Sequence, residues 1–294
     1  MGAPSEAAAS HWSLTVAEGL QLRFEGPSRL LDLLRGRFAA WPPAPRDAAA
    51  ALRIRLTDLD PRAALPAGAA ADREAQPEIR LDGARLALRG AGIRARAHLT
   101  TGDAEAAVGG PCAAAHLDYL SRVLTALLLD RAGGLLLHGA GLVRGGRGLL
   151  LLGPSGTGKT TAARNAAGAI VLNDDLVALL PGADGAWRLL ATPFSNATQV
   201  RPAPGQAPLA GILRLRPASE PAIAALSAGR AVAELLGAVP VLVADAQRLP
   251  PLLERLNRLA AAAPCAILRL RDRPDYWPVV DAWLAEGQAV VPSG

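Results

Sequence analysis

One stretch of this 294-residue chain has residue types and spacing suited to chemistry, Gly153-Pro154-Ser155-Gly156-Thr157-Gly158-Lys159-Thr160-Thr161. It fits the pattern G-x-x-x-x-G-K-[ST], whose glycines let the backbone curl until several N–H groups face one concavity. A helix beginning at the same point adds partial positive charge there. Together these features suit a polyphosphate. Lys159 would reach the outer phosphates, the Thr160 hydroxyl would sit on Mg²⁺, and the loop residues Gly153, Ser155, Gly156, Thr157, Gly158 and Thr161 would line the cradle. Lys159 is the only lysine among 31 basic residues; all the others are arginine. A compact ammonium fits a crowded phosphate better than a planar guanidinium fork does.

Two further features stand at matched distances from the loop. Asp174 and Asp175 end an apolar run, with Asp174 fifteen residues after Lys159, and His138 ends another run fifteen residues before Gly153. A carboxylate at the carboxyl end of a strand beside the loop's strand is placed to hold Mg²⁺, and the strand before Asp174 is expected there. A second carboxylate can accept a proton from an incoming hydroxyl. Successive strand residues point to opposite faces, so both acids reach one site only if the strand ends before them. His138 would lie at the end of a strand neighbouring the loop's strand, lining the crevice where open α/β sheets bind ligands. From there it could orient the catalytic carboxylate or contact a phosphate.

The elements that must position these residues follow from hydrophobic period. Leu149 to Leu152 reads as a buried strand before the loop, and Ala162 to Ala167 as a helix after it. Leu142-Val143 and Leu149 to Leu152 form a hairpin around Arg144 to Arg147. Ala169 to Leu172 is a strand leading to the acidic pair, and Val177 to Leu180 with Trp187 to Ala191 is a further hairpin. Leu135 to Leu137 is a short strand ending at His138. His116 to Arg131 reads as one helix, with leucines near 3.6 spacing, stopped at Gly133-Gly134. Beyond these, Leu209 to Leu215, Ala222 to Leu226 and Cys265 to Leu270 read as strands. Helices are expected from Ser227 to Leu236, over Pro251 to Ala261 and over Tyr276 to Leu284, with a loop or short strand at Val239 to Val243.

The N-terminal part reads differently. His11 to Phe24 suggests two short strands broken at Gly19, Ser28 to Phe38 a helix, and Leu52 to Leu56 a half-buried strand. Residues 61–77 are rich in Ala, Pro and Gly and read as a long loop. Strands follow at Ile79 to Leu81, Ala84 to Leu88 and Ile93 to Leu99. Residues 1–105 thus form a small, mostly β domain, with the loop-bearing α/β domain at 106–294. Residues 1 to about 10 read as loose, and His11 and His98 as isolated surface or packing residues.

Composition bounds the rest. Hydrophobic residues make up 51% and aromatics only 3%, so the core must be built mainly of Leu, Val and Ala. The net charge of +5 comes without any long basic run or arginine stripe interleaved with aromatics, which argues against a nucleic-acid partner. Cys112 and Cys265 match no metal or redox spacing, and two thiols in a chain of this length suit a reducing cytoplasm. The start lacks an apolar signal core, and no run approaches the roughly 18 apolar residues of a spanning helix, so no membrane role is expected.

The combination His138-Gly139-Ala140, a hairpin, the Gly153 to Thr160 loop, a short helix and Leu172-Asn173-Asp174-Asp175 resembles the kinase domain of the HPr kinase/phosphorylase family. More closely, it resembles that family's shorter relatives associated with ribosomally made peptides such as lasso peptides. Thr192-Pro193-Phe194 and Pro208 to Leu213 extend the resemblance, which runs well over residues 116–216 and weakly elsewhere. The family's glutamate-containing signature and C-terminal HPr-docking segment have no counterpart here. The resemblance implies a phosphoenolpyruvate carboxykinase-like P-loop fold. It also implies ATP- and Mg²⁺-dependent phosphoryl transfer to a serine hydroxyl of a peptide or protein, such as a ribosomal peptide precursor. Carried over residue by residue, Lys159 and Thr160 bind phosphates and metal, Asp174 holds the metal, and Asp175 is the base assisted by His138. A homo-oligomer is implied by the family's habit. Two other classes stay open on the residues alone: a kinase of a small hydroxylated molecule such as a sugar or amino acid, and a nucleotide-responsive binding protein that transfers nothing.

Overall fold

The computed structural model describes residues 11–17, 19–45, 49–60, 77–154, 156–196 and 199–288. The expected loose start and most of the long loop after residue 60 lie outside them. The chain divides into two compact units, residues 1–128 and 129–294, each with its own mixed sheet. The sequence pattern, read at residue 105, put the boundary near the end of the first sheet; the units part further on, inside a helix.

In the first unit, β1 (His11–Ala17), β2 (Leu20–Glu25), α1 (Ser28–Arg37), β3 (Leu52–Asp58), β4 (Glu78–Asp82), β5 (Arg85–Gly90), β6 (Ile93–His98) and β7 (Asp103–Val108) follow in order. The sheet order is β1-β2-β3-β7-β6-β5-β4, with β2, β3 and β7 parallel. Alternation sets the two faces. Leu52, Ile54 and Leu56 of β3 are buried, while the alternating Arg53, Arg55 and Thr57 are exposed. Leu30, Leu31 and Leu34 of α1 are buried, and the Trp12 ring lies 5.9 Å from that of Phe24 and 5.7 Å from that of Phe38. β7 went unread in the sequence because its inward residues, Ala104 and Ala106, are small and of low strand propensity. The register with β3 and β6 on either side makes it a strand.

α2 (Ala113–Arg131) starts three residues before the helix expected from the leucine spacing and contributes its last turn to the second unit. There follow β8 (Leu135–His138), β9 (Ala140–Arg144), β10 (Arg147–Leu152), α3 (Lys159–Arg164), β11 (Ile170–Asn173), β12 (Leu176–Pro181), β13 (Trp187–Leu190), β14 (Gln206–Pro217), β15 (Ala222–Ala225), α4 (Ala228–Gly237), α5 (Leu249–Ala262), β16 (Cys265–Leu270) and α6 (Trp277–Gln288). The segment expected as a loop or strand at 239–243 instead enters a single 3₁₀ turn at Leu242–Ala244.

Among the described residues these strands make one nine-stranded sheet, β11-β9-β10-β14-β13-β12-β8, with β16 on β14 and β15 on β16. β10 is central and is flanked on both edges. Its four leucines are all buried, which is why they read as an unbroken apolar run rather than an alternating one. β14 runs parallel to both β10 and β16. On one face Leu149, Leu151, Leu213 and Leu268 pack with Ala162 and Ala163 of α3 and with Tyr276, Val280 and Leu284. Each leucine so buried contributes about 1.5–3 kcal/mol. No helix among the described residues is long and apolar enough to cross a membrane.

Candidate functional site

The loop leaves β10 at Gly153 and enters α3 at Lys159. Its glycines serve distinct ends. Gly156 and Gly158 have φ of 81° and 99°, values that side chains rarely adopt. At Gly153 the constraint is space: a Cβ there would collide with Thr157 Oγ1 and lie 2.8 Å from Arg214 Nη1. Thr157 Oγ1 donates to Pro154 O at 2.8 Å and tightens the curl. Lys159 is buried, and its Nζ donates to Gly153 O at 2.7 Å and Pro154 O at 3.2 Å, so the ammonium lies against the loop's own carbonyls. Ser155 lies outside the described residues; Thr160 and Thr161 follow Lys159 in the first turn of α3.

The acidic pair occupies a two-residue turn between β11 and β12, because β11 ends at Asn173. Asn173 builds that turn. Its Oδ1 accepts from Asp175 N at 2.7 Å and Leu176 N at 3.2 Å, and its Nδ2 donates to Thr192 O at 2.9 Å and Phe194 O at 2.8 Å. Thr192 Oγ1 donates to Leu176 O at 2.6 Å. Both Asn173 and Thr192 are fully buried, so one amide and one hydroxyl lock the backbone from which both acids project. The Thr192-Pro193-Phe194 segment thus has a physical role: it closes the turn.

Two neighbourhoods differ from the sequence expectation. The strand before His138, β8, pairs with β12 and not with β10, and β11 pairs with β9, which stands between it and β10. The cause is the hairpin itself: β9 folds back on β10 and takes the edge that β8 or β11 would have filled. His138 still meets Asp175. Its Nδ1 is 3.2 Å from Asp175 Oδ1, Leu176 is its register partner, and Gly139 N donates to Asp175 O at 2.9 Å. Gly139 has no room for a Cβ, which would stand 2.9 Å from Leu151 O.

The charges converge. Burial pushes the Lys159 ammonium below its ordinary value; Asp175 pulls it back up, Arg214 pushes it down and Asp174 raises it. Burial likewise pushes Asp174 above the usual carboxylate range, opposed by the Val200 amide and the Thr160 hydroxyl. Val200 N donates to Asp174 Oδ2 at 3.2 Å, whereas Asp174 Oδ1 is buried with no hydrogen-bond partner. An orphaned anionic oxygen beside a threonine hydroxyl is a hard oxygen donor set that fits Mg²⁺. Among the described residues no group of three or more His, Cys, Asp and Glu could enclose a metal. A Mg²⁺ held by one carboxylate together with substrate phosphates needs none.

Sequence reasoning passed over Arg214. It lies on β14 directly beside Leu152, buried, with Nε 2.7 Å from Glu234 and Nη1 donating to Leu215 O at 2.9 Å. The signal was present: a lone charge interrupts Ile212-Leu213 and Leu215 within a buried strand. α3 is held from beneath by the C-terminal segment, where Tyr276 Oη donates to Ala162 O at 2.9 Å and Trp277 Nε1 to Asn165 O at 3.1 Å.

A protein-family model described as SynChlorMet cassette protein ScmC matches residues 118–284, more than half of the chain. No curated protein matches it.

Proposed function

The chain belongs to the ScmC family of SynChlorMet cassette proteins, and we propose that it is an ATP-dependent kinase acting on a serine hydroxyl of a peptide or protein, such as a ribosomal peptide precursor. The observation that carries this reading is the convergence of Lys159, Asp174, Asp175 and His138, from three separate stretches of chain, beside one glycine loop. The resemblance to HPr kinase-like proteins supports it, and with it a phosphoenolpyruvate carboxykinase-like arrangement of the second unit.

In this reading the loop amides and Lys159 bind the nucleotide's phosphates. Thr160 and Asp174 would hold Mg²⁺, which when bound would neutralise charge on the phosphate oxygens. Asp175 accepts the proton of the incoming hydroxyl, whose oxygen forms the new bond to the γ-phosphorus as the bridging oxygen leaves with the nucleoside diphosphate. His138 steadies the Asp175 carboxylate through its Nδ1 contact. In phosphoryl transfer the protein chiefly positions groups and stabilises charge, so these residues suffice in kind.

The test is intact-mass spectrometry of the peptide or protein encoded beside this gene after incubation with the chain, Mg²⁺ and ATP. A gain of one phosphoryl group, lost with Lys159→Ala and with Asp175→Asn, supports the proposal. An unmodified peptide, with ATP still bound, refutes the peptide-kinase reading. Asp175→Asn keeps nucleotide affinity while turnover falls by about 10²–10⁴.

A further inference from the structure

The exposed face of the first sheet carries charge in rows. One row crosses four strands as Arg55, Glu105, Arg96 and Ala87, each directly beside the next in register. The adjacent row runs Thr57, Ala107, Arg94 and Arg89. Between them these residues line a basin of about 590 Å³. Ala87, Ala107 and Gly90 keep its floor low, and four guanidiniums face one carboxylate around it.

This arrangement works against the sheet. Arg89 stands in register between Arg94 and Glu78, and the like-charged pair Arg89 and Arg94 is destabilising. Among the described residues Arg55, Arg89 and Arg96 make no ion pair with a carboxylate, although other arginines of the same unit do, such as Arg23 with Glu25 and Arg80 with Glu78. Three guanidiniums without an ion pair around a concavity are the complement of an anion.

We infer that this face docks an acidic segment of a peptide in extended conformation. Spacing favours it. Rows two residues apart on a strand are separated by about 6.6–6.8 Å, the distance at which alternate side chains of an extended peptide recur. The lining residues include no aromatic side chain on which a nucleic-acid base could stack, and Glu105 stands in the middle of the path a phosphate backbone would follow. Acidic residues at every second position would meet Arg89 and Arg94 in one row and Arg96 and Arg55 in the next. The inference stands apart from phosphoryl transfer, because docking needs no nucleotide.

The experiment is fluorescence anisotropy of the full chain, without nucleotide, with a short labelled peptide of alternating Glu and Ala. The wild-type chain binds it, and Arg89→Ala and Arg96→Ala each weaken binding about tenfold, the scale of one charge-assisted hydrogen bond. Glu105→Gln strengthens it. Arg230→Ala, an equal loss of charge on an exposed residue of α4, leaves it unchanged. Three results each overturn the inference: no binding of the peptide, equal weakening by Arg230→Ala and Arg89→Ala, or tighter binding of a single-stranded oligodeoxynucleotide of the same charge. The gain with Glu105→Gln guards against reading a misfolded arginine variant as a lost contact.

Discussion

Asp174 and Lys159 are charges held out of water, and each bears a cost that a ligand would relieve. Asp174 has one oxygen without a partner and a carboxyl driven up by burial. Asp174→Asn removes that burden. In the absence of divalent ions it raises the thermal midpoint by a few degrees, the effect of about 1 kcal/mol in a chain of this size, as read by differential scanning calorimetry. An unchanged or lower midpoint would show that the carboxylate is better satisfied than its geometry implies. Gly153 is a purely spatial constraint, having neither positive φ nor a turn to make. Gly153→Ala pushes Thr157 and Arg214 aside and lowers affinity for a fluorescent ATP analogue at least about tenfold, with far-ultraviolet circular dichroism unchanged. Retained affinity would mean that the loop has slack.

At the scale of elements, the β11–β12 turn depends on one side chain. Asn173→Ala strands two backbone amides and two carbonyls in a fully buried place, and urea unfolding should show a loss of about 3 kcal/mol or more. A loss under about 1 kcal/mol would contradict the role given to that network. α2 carries a pH-sensitive contact at its first turn. His116 lies against Gly92, whose Cβ would be 2.7 Å from Nδ1; burial lowers its pKa, and the Gly92 backbone opposes the shift. A base whose folded pKa is depressed adds stability that is complete above its unfolded value, about 6.5, and is lost as pH falls through the folded one. The thermal midpoint should therefore drop between about pH 7.5 and pH 5.5, and His116→Gln should flatten that slope. An identical slope in the variant would move the effect to other groups.

For the whole molecule, ligand linkage gives the broadest test. Mg²⁺ with ATP at about a hundredfold over its dissociation constant should stabilise the chain by about 2.7 kcal/mol. ATP with a chelator should give less, and Asp174→Asn should erase the difference between the two. Equal shifts with and without Mg²⁺ in the wild-type chain would remove Thr160 and Asp174 from the metal's binding. The arginine excess also acts at this scale. A net charge of +5 says little by itself, but the first sheet gathers its share of arginine onto one exposed face by strand alternation.

Local sequence was enough for the loop, because its glycines, lysine and threonine act within one turn of chain, and for most elements, because leucines at fixed period need no distant partner. That Asp174 and Asp175 project from one turn was open in the sequence, and the ending of β11 at Asn173 decided it. Only the tertiary structure decided which strands are neighbours. Pairing order is set by contacts between residues far apart in the chain, and the β9–β10 hairpin excluded β8 and β11 from the place that spacing alone assigned them. β7 escaped notice for the same reason, since its alanines become a strand only between β3 and β6. Arg214 reaches the loop, and the arginines of β3, β5 and β6 reach one another, because register brings together charges that no sequence spacing relates.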